Sequence, residues 1–298
     1  MKIAYLMLSH KNPQLLARAI AALSFENCGF FIHIDRKTNI EEFSGLRGDN
    51  IFLSEQRIPI CWGEYSQVEA TMGLIRQGLG SSTKYDYFVF LQGSDYPLRS
   101  SRYIHRFLEE NSGWEFMSIV KMPAPGYPLS KINKVRYPSD KPLRRFASRV
   151  LAKVGLAQRD YKKHLGGLEA YSGDACWTLS RHACEYIVEF ARRNPYVEKY
   201  FRNTFTSDEV FFHTILGNSP FHARTRRNLL YRDWSMPGDH PAMLNETHIK
   251  FFETHDKILI ADQFGVGEAL FARKLSDDNL LCVERIDAMI KLKEEQCA

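Results

Sequence analysis

Tyr85-Asp86-Tyr87-Phe88-Val89-Phe90-Leu91-Gln92-Gly93-Ser94-Asp95-Tyr96-Pro97 is an apolar run that stops in a small polar turn carrying one carboxylate. Nothing alternates between Tyr87 and Leu91, which is the pattern of a central strand in a parallel sheet covered on both faces. Gly93 and Pro97 bracket the turn. Open α/β sheets bind ligands outside the carboxyl ends of their strands, so chemistry is expected first at Gln92 to Asp95. The same carboxylate has a plainer use, capping a helix that begins near Ser100.

Working outward, residues 3–8 predict a first buried strand, followed by the polar turn Ser9-His10-Lys11. Asn12 and Pro13 then read as N-cap and first residue of a helix with Leu15, Leu16, Ile20 and Leu23 on one face. A second strand over 29–34 ends in Asp35-Arg36-Lys37, at the same sheet edge as Ser9 to Lys11. A third strand is expected over 50–53. Trp62 follows in a loop, placed either to stack on a base or sugar or to plug the core edge. Ser66-Gln67-Val68-Glu69 reads as a capping box opening a helix to about residue 79. Further on, a helix over 101–110 and a strand over 115–120 are expected.

Composition changes at 131–163, where eleven Lys or Arg stand against Asp140 and Asp160. Residues 143–156 place Phe146, Val150 and Val154 at helical spacing among Arg144, Arg145, Arg149 and Lys153. That is a basic amphipathic helix, suited either to packing on the domain or to lying on an anionic membrane surface. Beyond it, Thr206-Ser207-Asp208-Glu209 opens an apolar helix with adjacent carboxylates in its first turn. A helix N-terminus favours negative charge, which explains one acid more easily than a pair flanked by aromatics. Residues 258–261 read as an apolar strand. The Gly265-Val266-Gly267 that follows only imitates a dinucleotide fingerprint, since Leu270 takes the third glycine's place. Residues 270–275 are expected to form a short helix carrying Arg273 and Lys274.

The 298 residues are 44% hydrophobic and 13% aromatic, ample for an α/β core, and are expected to form one domain. Its nucleotide-binding half would be about 1–125, its acceptor and catalytic half about 165–275, with 131–163 inserted between. The six cysteines form no CxxC pair, arguing against a zinc ribbon or a disulfide scaffold and fitting a reducing compartment. The segment 1–8 is too short for a secretion signal, and no apolar run approaches the roughly 20 residues of a membrane span. The expected location is the cytoplasm, with peripheral contact at the inner membrane through 143–156. A formal charge of +5 suits phosphate-bearing ligands. The basic segment lacks interleaved aromatics, so no nucleic-acid partner is expected.

Taken as an ordered set, these segments resemble the core-2 and I-branching β-1,6-N-acetylglucosaminyltransferases, glycosyltransferase family 14, which also includes peptide O-xylosyltransferases. The resemblance rests on Ser9-His10-Lys11, Ile32 to Lys37, Trp62 with Tyr65 to Val68, Gly93 to Pro97, and Ser172-Gly173. It continues through Ser207-Asp208-Glu209, Asp233-Trp234 with His240-Pro241, and Leu270 to Lys274. It implies a GT-A fold, a Rossmann-like, mostly parallel mixed sheet flanked by helices. It also implies inverting transfer from a UDP-sugar, with Glu209 as general base and Asp208 beside it. Ser9, His10, Lys11, Asp35, Arg36, Lys37 and Trp62 would surround the nucleotide, and Asp95 would face the donor-sugar or acceptor pocket. Lys274 would meet the diphosphate with a second cation, Lys250 by spacing, or Arg232 or Arg273. No Asp-x-Asp stands at a predicted strand end, so no divalent metal is expected. UDP-N-acetylglucosamine leads among donors, with UDP-xylose or another UDP-hexose behind it. A glycan or lipid-linked glycan is the expected acceptor. A non-catalytic nucleotide-sugar binder or a UDP-sugar hydrolase on the same fold is the second reading.

Overall fold

A computed structural model describes residues 1–135 and 158–296. Its centre is a seven-stranded sheet. In chain order the strands of the protein are β1 (Ile3–Ser9), β2 (Cys28–Ile34), β3 (Ile51–Leu53), β4 (Tyr87–Gln92), β5 (Asp95–Pro97), β6 (Glu115–Phe116) and β7 (Ile119–Lys121). They continue as β8 (Tyr171–Gly173), β9 (Trp177–Ser180), β10 (Thr225–Arg226), β11 (Leu230–Arg232), β12 (Leu259–Asp262), β13 (Gly265–Glu268) and β14 (Phe271–Arg273). The central order is β10-β6-β9-β4-β1-β2-β3. β4, β1, β2 and β3 run parallel, and β9 inserts antiparallel to both β4 and β6. Every residue of β1 and β2 is buried, as continuous apolar runs in a doubly covered sheet require.

Helix α1 (Pro13–Leu23) follows β1, and α2 (Ser66–Gly80) packs on β1 and β2. The mixed, mostly parallel α/β architecture expected from the apolar runs is the one observed. A smaller sheet, β11-β14-β5, sits beyond the end of β4. Within it β14 is antiparallel to β5, which sets Arg273 opposite Asp95.

Several local expectations are corrected. Ser66 is the first residue of its helix and closes no capping box, because its hydroxyl accepts the Cys61 amide at 2.9 Å and ties down the preceding loop. Asn12 and Pro13 are the N-cap and first residue of α1 as expected, but Asn12 makes no side-chain cap bond: it takes a left-handed conformation (φ 59°), and its amide donates to Gly93 O and Ser94 Oγ, both at 3.3 Å, across the sheet edge. The helix after Asp95, α3 (Ser101–Glu110), is capped by Ser100 itself, whose side chain accepts the Tyr103 amide. Residues 115–120 do not form one strand, because the chain leaves β6 at Met117 to pair as β7 with β8. The strand expected over 258–261 is β12, offset by one residue and set in an exposed hairpin with β13 while Ile258 is buried, and within 270–275 the residues Phe271–Arg273 form a strand rather than a helix. The basic helix expected over 143–156 lies outside the described residues.

Candidate active site

Parallel register brings the ends of β1, β2 and β4 side by side, with Ser9 opposite Ile34 and Leu8 opposite Gln92. The turns leaving these strands enclose a cavity of about 270 Å³, lined by Ser9, His10, Lys11, Asp35, Lys37, Trp62, Gln92, Gly93 and Ser94 among others. Each wall is tied by hydrogen bonds. Asp35 Oδ1 accepts the Lys37 amide at 2.9 Å, and Lys37 Nζ reaches Ile60 O at 2.6 Å and Asp35 Oδ2 at 3.5 Å. Ser9 Oγ donates to Lys11 O at 2.8 Å, and Thr38 Oγ1 to His10 O at 2.9 Å. Trp62 is 54% exposed, with its ring edge-on to Phe205 (5.4 Å) and His240 (5.6 Å). It stands on the rim as an available stacking face.

Gly93 lies so close to β1 that an added Cβ would run into the Ser9 side chain. Gly93→Ala is therefore expected to cost about 1–3 kcal/mol through local overpacking, read as a lowered thermal midpoint.

A second cavity, about 380 Å³, shares His10, Lys11, Trp62, Gln67, Gln92 and Ser94 with the first, so the two form one groove. Its far wall holds Asp208, Glu209, Arg232, Trp234, His240, Arg273 and Lys274. The acid pair sits on a 3₁₀ turn, Ser207–Glu209, just before the apolar helix Phe211–Gly217, and not inside that helix as expected. Thr206 enters the turn at φ 48°, and its amide donates to Gly63 O at 2.7 Å, linking the acids to the Trp62 loop. From the other side Ser172 Oγ donates to Glu209 O at 3.0 Å. Glu209 Oε2 receives Lys131 Nζ at 2.6 Å. Burial first, and then the neighbouring Glu209 carboxylate, push Asp208 up to about 7, against a smaller opposite effect of Lys131.

The cations lining the groove fall into two kinds. Arg273 is paired with Asp95, whose side chain is fully buried and also accepts the Gln92 amide at 2.8 Å. Arg232 is paired with Asp174, which accepts Asn228 Nδ2 at 3.1 Å. Both guanidiniums are thus held in place and neutralised by an acid behind them. Lys11 and Lys274 enter no ion pair among the described residues. Lys274 is pushed below its ordinary value by burial, and then by Lys11 and Arg273. Like charges crowd at this point of the groove, an arrangement that an anion relieves.

Three expected site residues are placed elsewhere. Lys250 projects from helix Glu246–Thr254 into solvent beside Glu246 (3.7 Å), because its position falls on that helix's outer face. Arg36 is exposed and lines neither cavity. Asp95 lies behind the groove wall, paired with Arg273. Conversely, Lys131 and Asp174 touch this machinery although neither was expected, since one is a base among eleven and the other a lone acid in a turn.

A family description, Core-2/I-Branching enzyme, matches residues 3–256. The chain belongs to this family. Its mostly parallel sheet with flanking helices is the GT-A-like fold of core-2/I-branching enzymes. Among relatives, the mouse N-acetyllactosaminide beta-1,6-N-acetylglucosaminyl-transferase is 26% identical over 244 residues, covering 78% of this chain and 58% of that protein. Rat xylosyltransferase 2 is 24% identical over 245 residues, covering 78% of this chain and 27% of that protein. A zebrafish (Danio rerio) beta-1,3-galactosyl-O-glycosyl-glycoprotein beta-1,6-N-acetylglucosaminyltransferase 4 is 22% identical over 218 residues, covering 70% and 48%. The chain therefore spans between about a quarter and three fifths of these relatives. The match to the core-2/I-branching family takes in the acid pair and the strand-end pocket but stops short of Arg273 and Lys274. These two cations reach the groove because β14 joins β11 and β5, which lie inside the matched span. No helix among the described residues is long and apolar enough to cross a membrane.

Proposed function

We propose that the protein is an inverting glycosyltransferase that moves a sugar, N-acetylglucosamine first among candidates, from a UDP-sugar to a hydroxyl of a glycan or lipid-linked glycan. The observation that carries this reading is one groove with a strand-end pocket at one end and an acid pair with a cation cluster at the other. In this reading Asp35, His10, Lys37 and Trp62 meet the nucleoside. Lys11 and Lys274 neutralise the diphosphate, with Arg273 and Arg232 as fixed donors. The acceptor oxygen attacks the anomeric carbon from the face opposite UDP. Its bond to that carbon forms as the anomeric C–O bond to the diphosphate breaks, the electron pair leaves with UDP, and the acceptor proton passes to Glu209.

In this reading the lysines left unpaired among the described residues supply the charge that a divalent ion supplies elsewhere, with the arginines as fixed hydrogen-bond donors, so it requires no metal. Calorimetry of UDP against the purified chain tests this. Binding in EDTA that Mn²⁺ does not strengthen is the expected result. Binding only with Mn²⁺ would overturn the lysine phosphate site and keep the transferase, whereas no binding in either buffer would remove the nucleotide-sugar reading. The similarity to xylosyltransferase 2 favours UDP-xylose as the second donor to screen.

A further inference from the structure

Nothing in its sequence surroundings marks Lys131, but its place in the fold is specific. It stands on the single turn Ser130–Asn133, whose Ile132 side chain is fully buried. That turn is pinned from outside, because Ile132 O accepts both Tyr200 OH at 2.8 Å and Arg159 Nε at 3.0 Å. From this fixed base the ammonium lies 5.1 Å from the centroid of the Tyr127 ring and 2.6 Å from Glu209 Oε2. Glu209 lines the groove and Lys131 does not, so the ammonium meets the carboxylate from the wall side.

We propose that Lys131 is a positioning residue for the acid pair, holding one carboxylate oxygen of Glu209 from the wall so that the other is presented to the acceptor hydroxyl. The proposal rests on the glycosyltransferase reading and deepens it. An exposed lysine–carboxylate pair holds little, because two long side chains lose freedom for a screened attraction. Here the lysine backbone is already fixed, both side chains are at least two-thirds covered, and the ring of Tyr127 adds a second contact for the cation. An ammonium donates and cannot accept, so Lys131 fixes Glu209 without competing for the acceptor proton. No bond forms or breaks at Lys131, and the proton travels from the acceptor oxygen to Glu209. Tyr127 also faces the pair, with Arg232 and Asp174 nearby, and burial pushes the neighbouring His213 down to about 4.

The test uses Lys131→Met and Lys131→Arg in the full chain. Lys131 opposes the upward push on Asp208, so in Lys131→Met the Asp208 carboxyl is expected to titrate at higher pH than in wild type. ¹³C NMR of labelled carboxyl groups reads this shift without any substrate. In parallel, UDP release from UDP-N-acetylglucosamine, with N-acetyllactosamine as trial acceptor, is expected to fall roughly ten- to a hundredfold in kcat for Lys131→Met. UDP affinity should change by less than about twofold, and Lys131→Arg should recover part of the turnover. An unmoved Asp208 titration would overturn the proposal, as would undiminished turnover in Lys131→Met or a parallel loss of UDP affinity. If wild-type protein fails to bind UDP, the function reading falls, while the titration still decides whether Lys131 holds the pair.

Discussion

Replacing Glu209 by Gln is expected to lower transfer by roughly 10²- to 10⁴-fold while UDP binds with about wild-type affinity. The substitution preserves shape. A glutamine oxygen can still accept the Lys131 ammonium, and the contact from Ser172 is made to the Glu209 main chain, so the turn Ser207–Glu209 keeps its anchors. What disappears is the acceptor for the proton that leaves the attacking hydroxyl. Asp208 is the adjacent acid in the same turn, and its behaviour in the variant has a definite sign. Its ionisation is raised by burial and by the Glu209 charge, so removing that charge lets Asp208 ionise at lower pH. The residual activity of Glu209→Gln should therefore follow the Asp208 ionisation, which lies at lower pH in the variant than in wild type, and Glu209→Gln combined with Asp208→Asn should abolish it. The comparison concerns the whole pH profile and not a single assigned value. Full transfer by Glu209→Gln would remove it as the base.

The parts of this site legible in the sequence are those whose signal is local. The runs around Leu6, Ile32 and Val89 are too uniformly apolar for anything but doubly covered strands, and the polar turns after them had to lie at one sheet edge. Hence Ser9, His10 and Asp35 fall together on the pattern of apolar runs and turns alone, whereas Trp62 joined them only through the family resemblance. What was not legible depends on distance along the chain. Asp95 and Arg273 are 178 residues apart, and Lys131 and Glu209 are 78 apart, with no short-range pattern to link either pair. Short segments misled for a different reason. Phe271-Ala272-Arg273 is too brief to show a period, and its strand exists only because β5 and β11 offer edges on either side. Ser66 and Glu69 fit the capping-box spacing, yet the hydroxyl was taken by a loop amide five residues upstream. Spacing identifies candidates, and the competing partner decides among them.

The largest stability effect is expected at Asp95. Its side chain is fully buried against Arg273, itself only 12% exposed, and it also holds the Gln92 amide at the end of β4. Asp95→Ala would leave a guanidinium covered without a counter-charge and a buried amide without an acceptor, a loss of about 3–5 kcal/mol. For a chain of this size that corresponds to a fall of roughly 10 °C in thermal midpoint. Asp95→Asn should fall between, since it can keep a hydrogen bond to the Gln92 amide but carries no charge. The pair as a whole need not stabilise the fold, because desolvation of both ions offsets their attraction. Replacing both residues, Asp95→Leu with Arg273→Met, should accordingly recover most of the stability that Asp95→Ala loses. It should not recover UDP binding, because Arg273 lines the groove and a methionine there presents no donor. Recovered folding without recovered binding would show that the ion pair is kept to aim Arg273 at the ligand. A double variant that binds UDP as wild type does would show that Lys11 and Lys274 suffice, and Asp95 would then be a purely structural acid.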